Sequence, residues 1–288
     1  MRKQAITLFF FVFCVSAFQI WTDTDRIGDV QAITGQAVAI ADGEKRVLTR
    51  DSKLYVKDVL AVGEKGFLQV IFKDGTVLSL DENSEVELRQ FVFDMQESEN
   101  NVVDLNMIAG GMRFLTGKVT KKNPEAFKFE TPLGTIGIRG TEGTTTTELS
   151  NSEEYSQSLN SNINGPGSAW GHQVKPDVTS QNTQHVNGTS KRAMTFTDRF
   201  GKTVSMDRGE SVDVSKATGT SDPQPIGTPS RQLAKPTTFK TNVNVPKDVR
   251  RNFSGFERGG DAPQGVTGGS GNALEPAAPS SSDHSGQD

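Results

Sequence analysis

Cysteine is all but missing: the only one among 288 residues is Cys14, and it lies in a segment read here as a cleaved leader. The mature chain can then form neither a disulfide nor a thiolate metal site, which excludes small disulfide-stapled scaffolds. Basic charge is also in deficit. Lys and Arg number 31 against 35 Asp and Glu, a formal charge of −4, and losing Arg2 and Lys3 makes the balance more acidic. A general nucleic-acid binder carries a basic patch on a basic domain, so no nucleic acid is expected as partner.

One long apolar run exists, Ala5 to Phe18, broken only by Thr7, Cys14 and Ser16 and preceded by Arg2 and Lys3. A membrane-spanning helix needs about 20 apolar residues, whereas Gln19, Asp23, Asp25 and Arg26 close this run early. Val15-Ser16-Ala17 places small residues where a signal peptidase reads. Phe13, bulky and directly before Cys14, argues against lipidation. Residues 1–17 are therefore expected to be a secretory signal peptide, leaving a periplasmic or extracellular chain with no membrane span.

Catalytic chemistry is scarce as well. The three histidines, His172, His185 and His284, fall in stretches read as polar loop or tail, where no rigid element would hold a base or a ligand. G-x-S-x-G and H-E-x-x-H are absent, and no paired carboxylates promise a shifted pKa. Gly201-Lys202-Thr203 ends like a P-loop, but Phe196 stands where its first glycine belongs, and Gly117-Lys118 is followed by Val119. Asp81, Asn83 and Glu85 alternate like calcium ligands, yet Val86 and Val92 occupy the positions that need Gly and Glu. The expectation is a protein that is not an enzyme, with no cofactor and no metal.

What the chain does have is period-two alternation. Leu68, Val70 and Phe72 share one strand face, Val86 and Leu88 another against Glu85, Glu87 and Arg89, and Phe127 and Phe129 a third. Turn dipeptides separate the runs: Asp42-Gly43, Asp74-Gly75, Glu82-Asn83, Gly110-Gly111. The fold expected is all-β, a rolled or sandwich-like sheet of many short strands spanning 27–149. Residues 150–192 read as a polar insertion loop, since 150–190 hold 8 Ser and 6 Asn among 41 residues. Residues 193–215 read as a terminal hairpin of the same domain. Residues 216–288, with 8 of the 12 prolines and 10 of the 29 glycines, read as a disordered tail outside the core. Thr76 to Leu88 and Thr203 to Val214 echo each other as strand, acidic turn and strand, and each looks like a hairpin.

Three motifs, in order, carry a resemblance: Asp74-Gly75-Thr76 with Leu78 and Leu80; Gly110-Gly111-Met112-Arg113-Phe114 with Thr116-Gly117-Lys118; and Thr131-Pro132-Leu133-Gly134-Thr135-Ile136-Gly137-Ile138-Arg139-Gly140-Thr141. Together they resemble the FecR domain over about Gly28 to Leu149. The resemblance implies an exported all-β module, known best from ferric-citrate signalling, where it relays a receptor's state to a sigma factor. The residues before Ile27 are too few for the cytoplasmic sigma-factor-binding segment of such transducers, so no such domain is expected in this chain.

Pro132 suits a strand start, and the glycines after it suit a bent strand leaving room for a crossing chain. Candidate binding or structural residues are Arg139, Gly137, Gly140, Thr141 and Asp74. A partly buried Arg139 calls for an internal carboxylate or carbonyls, Asp74 and Asp81 of the preceding hairpin being candidates, whereas an exposed Arg139 would offer its fork to a partner's carboxylate. Two functions remain open: a module that binds a protein or envelope component, and a structural envelope protein. In the second, the tail, with Lys247, Arg250, Arg251 and Arg258 around Phe253 and Phe256, touches surface polymers. N-terminal sequencing of the exported protein should begin at Phe18; a start at Met1 would contradict the leader.

Overall fold

The computed structural model describes residues 26–96, 98–138, 142–167, 170–171, 174–185 and 194–226. Residues 1–25, His172, His284 and the residues beyond Ile226 lie outside the described residues, and so do the expectations attached to them.

Period-two alternation builds strands throughout: β1 (Arg26–Thr34), β2 (Ala37–Ala41), β3 (Glu44–Val47), β4 (Lys53–Tyr55), β5 (Val59–Val62), β6 (Phe67–Phe72), β7 (Val77–Leu80), β8 (Glu85–Val92), β9 (Val102–Ala109) and β10 (Gly111–Leu115). A one-turn helix α1 (Val119–Lys122) precedes β11 (Phe127–Thr131), β12 (Gly134–Ile138) and β13 (Glu142–Leu149). Helix α2 (Ser152–Asn164) leads to β14 (Val178–His185), β15 (Met194–Asp198), β16 (Thr203–Met206), β17 (Glu210–Ser215), β18 (Gly219–Thr220) and β19 (Gln224–Pro225). Sheet I is ordered β18-β17-β14-β13-β10-β7-β6-β1-β4, with β19 also on β17, and sheet II β16-β15-β12-β11-β9-β8-β5-β2-β3. Neighbours run antiparallel except β9 with β11. The all-β, sandwich-like expectation holds.

The inner faces of the two sheets make one apolar core, in which Leu68, Val70, Leu78 and Phe114 of sheet I meet Val86, Leu105, Phe129 and Ile136 of sheet II. The rings of Phe114 and Phe129 meet edge to face at 5.9 Å and 68°. Each fully buried side chain of this size contributes roughly 1.5–3 kcal/mol.

From β6 onward the chain lays β6–β7 in sheet I, β8–β9 in sheet II, β10 in I, β11–β12 in II, β13–β14 in I, β15–β16 in II and β17 in I. This corrects the two echoing hairpins: β7 and β8 lie in different sheets, as do β16 and β17. Each echo is an arch that crosses the core, and each has a left-handed residue at the third turn position, Asn83 (φ 56°) and Gly209 (φ 78°). A hairpin and an arch share turn residues and alternation. They differ only in which distant strand completes the pairing.

The expected polar loop is also corrected, because it holds α2 and β14. Tyr155, Leu159 and Ile163, four residues apart, form the buried stripe of α2 and pack on Val38, Ile40, Ala61 and Ala109 of the outer face of sheet II. Lys45 Nζ donates to the carbonyls of Asn162 (2.8 Å), Ile163 (3.2 Å) and Gly165 (2.8 Å) at the helix C-terminus, where a cation complements both dipole and orphan acceptors. Strand β14 has one apolar residue, Val178, yet it sits between β13 and β17. Its buried polar side chains find partners instead, Gln181 Nε2 donating to Thr145 Oγ1 at 3.1 Å and Ser180 Oγ to Glu148 at 2.6 Å.

The tail boundary moves too. Residues 216–226 belong to the fold: β18 and β19 pair with β17, Thr220 Oγ1 donates to Asp198 at 2.7 Å, and Lys202 Nζ donates to the Thr220 carbonyl at 2.6 Å. His185, expected on a loop, is fully buried on β14 opposite Gly143.

Burial holds the pKa of His185 below the ordinary histidine range, against the opposing pull of Asp207 and Glu210. The fold therefore favours the neutral ring. That stability is fully present above the unfolded value of about 6.5 and is lost as pH falls below it. Thermal melting at pH 7.5 and 5.5 should show a fall for the parent that is smaller for His185→Gln.

Candidate binding site at the TPLG turn

The third motif supplies the hairpin between β11 and β12. Thr131 Oγ1 donates to the Gly134 carbonyl at 2.8 Å and accepts from its N–H at 3.2 Å, while Leu133 is buried. A Cβ on Gly134 would stand 2.3 Å from the Thr197 carbonyl oxygen, and one on Gly137 2.5 Å from Thr195 Oγ1. Backbone crowding by β15 therefore demands glycine at 134, whereas at 137 only the Thr195 side chain would have to move.

Where this turn meets the end of β15, a pocket of about 520 Å³ is lined by Glu130, Thr131, Pro132, Gly134, Thr135, Thr197, Asp198 and Arg199. The exposed Arg199 donates to the Pro132 carbonyl at 2.8 Å, bridging the two elements across the mouth. Asp198 shapes the turn, accepting from the N–H groups of Phe200 and Lys202, both at 2.9 Å, and from Thr220. The Thr220 hydroxyl is the main influence holding its carboxyl below the usual range. Phe200 follows, 74% exposed. On the other wall, Glu130 is engaged by Lys128 at 2.5 Å and by Arg89, and these hydrogen bonds hold its carboxyl low. This is a rim of placed charges and carbonyls beside an exposed ring, suited to holding a polar or peptide group. Among the described residues no group of His, Cys, Asp and Glu is arranged to hold a metal.

The first two motifs meet elsewhere. Asp74, fully buried in the β6–β7 turn, accepts from Thr76 N at 2.9 Å, Thr76 Oγ1 at 2.8 Å and Val119 N at 3.4 Å. Its carbonyl accepts from Lys118 N at 2.9 Å, and Thr76 Oγ1 accepts from Gly117 N at 2.9 Å. A Cβ at Gly117 would stand 2.5 Å from the Asp74 carbonyl, so Gly75-Thr76 and Gly117-Lys118 close on one carboxylate. Burial pushes the Asp74 pKa up, against the pull of these donors.

Of the sequence candidates, Asp74 and Gly137 are thus placed in separate neighbourhoods, and Arg139, Gly140 and Thr141 lie outside the described residues. The Asp74 carboxylate is committed to Thr76 and Val119. The buried arginine that sequence reasoning passed over is Arg113 of the second motif, 8% exposed and ion-paired with Glu142, 1% exposed. Burial pushes its pKa down to about 10, so it stays charged at neutral pH. Its signal was a lone cation inside Gly-Met-Arg-Phe-Leu. Arg199 and Phe200 gave no signal, because an exposed turn reads the same with or without a pocket beside it.

Fold and motifs together define a two-sheet β module. Residues 58–156 match the family described as FecR protein, and the chain carries a FecR domain over that stretch, as the motifs implied. Two crystal structures of a candidate anti-sigma factor from Parabacteroides distasonis ATCC 8503 are similar at 12% identity and a TM-score of 0.36, over 58% of this chain and 59% of that one. The chain thus spans about three fifths of that solved chain's length. No curated protein matches it.

Removing one member of a buried ion pair costs roughly 3–5 kcal/mol. Arg113→Ala should therefore lower the melting temperature by on the order of 10 °C in a domain of this size. Arg113→Met combined with Glu142→Leu should recover most of that loss, since no charge is then left buried alone.

Proposed function

We propose that the chain is an exported, non-enzymatic FecR-type module that binds a protein component of the cell envelope in a signalling relay, using the corner formed by the TPLG turn and the β15–β16 turn. The carrying observation is the pocket itself: a family motif forms one wall and Arg199 stands at the other, with the exposed Phe200 next to it in the chain. β16 is one of the two edge strands of sheet II among the described residues, and a partner's extended segment can add to such an edge while Phe200 anchors it. The FecR match supports a regulatory role over a catalytic one. No described helix is long and apolar enough to cross a membrane.

Arg199→Glu combined with Phe200→Ser tests the corner, since both side chains are exposed and the melting temperature should not move by more than about 2 °C. In a pull-down from envelope extract the parent should capture one stoichiometric protein and the double variant should lose it. Capture of the same protein by both forms would discard this corner. Diffuse binding of surface polymer by both would favour the spacer reading, in which the tail makes the contact.

A further inference from the structure

The sheet edges among the described residues are not equally protected. Sheet I ends in β4 and in β18, with β19 also on β17, and sheet II in β3 and β16. Charged residues, proline and shortness keep such edges from joining one another. β3 carries Glu44, Lys45 and Arg46, β4 carries Lys53, β18 has two residues and β19 contains Pro225. β16 has none of these devices: Thr203-Val204-Ser205-Met206 is uncharged, free of proline and in unbroken register with β15.

The turn before β16 fixes which of its backbone groups are open. Asp198 N donates to the Lys202 carbonyl at 3.0 Å. Bonded and non-bonded pairs alternate along an antiparallel ladder, so Phe196 with Val204 and Met194 with Met206 are the pairs that exchange hydrogen bonds. The N–H and C=O groups of Thr203 and Ser205 therefore point away from β15. Their side chains are exposed on the outer face, whereas Val204 and Met206 turn inward. A two-fold axis beside Val204 satisfies the open groups with an identical strand, Thr203 facing Ser205 of the second copy and Ser205 facing its Thr203. The same register carries the exposed Phe200 towards the exposed Arg208 of the second copy, a cation on an aromatic face. It also sets Lys202 beside the second copy's Asp207, both exposed, so the strand is complementary to itself in charge as well as in hydrogen bonds.

We infer that β16 pairs antiparallel with β16 of a second copy of this chain, and that this pairing closes the corner of Arg199 and Phe200 to any other strand. The self-pairing stands on the edge alone, while its control of the corner rests on the function proposed above. Four strand residues per copy fall well short of the roughly 20–30 residues a side of a stable interface. The two copies therefore part reversibly, and a partner's segment that fits the edge better displaces one of them.

The test uses the absence of any cysteine after Cys14. Thr203→Cys and Ser205→Cys are made in separate chains that also carry Cys14→Ser. Under mild oxidation the mixture should form a disulfide-linked pair about tenfold or more faster than either variant alone. The axis sets the Cβ atoms of 203 and 205 in opposite copies about 5 Å apart, whereas each position lies two residues out of step with its own counterpart, beyond the reach of a disulfide. In sedimentation the mass of the parent should rise with concentration. Ser205→Pro removes only an outward N–H, so it should stay monomeric with a melting temperature within about 2 °C of the parent. Should it not fold, Arg208→Glu replaces it and should weaken association about tenfold. Equal cross-linking in the mixture and in the single variants, or a parent that stays monomeric, would overturn the inference and leave the corner reading untouched. If the copies pair but Arg208→Glu captures no more of the envelope protein than the parent does, the closure of the corner is overturned. Pairing with no protein captured by any form would uphold the self-pairing and discard the corner reading instead.

Discussion

The chain must cross from one sheet to the other after every one or two strands from β5 onward, over a core about 10 Å thick. Every crossing brings backbone through or around an apolar interior, where N–H and C=O groups need partners. Asp74 and Ser84 meet that need on either side of β7. Ser84 Oγ donates to the Gly111 carbonyl and accepts from its N–H, both at 2.9 Å, so the arch after β7 is tied to the arch before β10. Asp74 ties the opposite end of β7 to the loop after β10. With both ends of β7 clasped to β10, Leu78 and Leu80 have no freedom of register, and the core rows on either side follow.

These clasps explain which glycines the motifs contain. Gly110 (φ 91°) turns the chain against Ser84, to which an added Cβ would come within 2.3 Å, and Gly117 leaves space for the Asp74 carbonyl. The motif residues that look like a binding signature are, at these positions, the hardware of a crossing. The pocket at the TPLG turn differs, because its polar groups face outward at the end of a hairpin.

Local periodicity revealed the strands, since inward Leu, Val and Phe recur at spacing two whatever the partner strand. It could not distinguish an arch from a hairpin at Asp81 or Asp207, because the choice lies in contacts dozens of residues away. Helix α2 was hidden by dilution: three apolar residues in thirteen are enough only because Lys45, Asn83 and Glu85 provide the remaining anchors. Glu85 accepts from the buried hydroxyl of Tyr155, and Asn83 Oδ1 from Ser156 at 3.0 Å and Asn160 at 3.1 Å. Strand β14 was hidden by its side chains, for a central strand made of Thr, Ser, Gln and Asn becomes credible only once its flanking strands are known. Arg113 was passed over for a related reason: sequence shows a charge among apolar neighbours but not whether it meets a carboxylate.

The winding has a consequence for assembly. β5 pairs with β2, β6 with β1, β7 with β6, β8 with β5, β9 with β8, β10 with β7, β11 with β9, β12 with β11, β13 with β10, β14 with β13, β15 with β12 and β17 with β14. Each strand from β5 onward thus docks on a strand that precedes it in the chain. No strand waits for a later one to open a place for it, so the sandwich can grow from one end as the polypeptide is delivered, N-terminus first. At every stage the unfinished protein exposes a single advancing pair of edges.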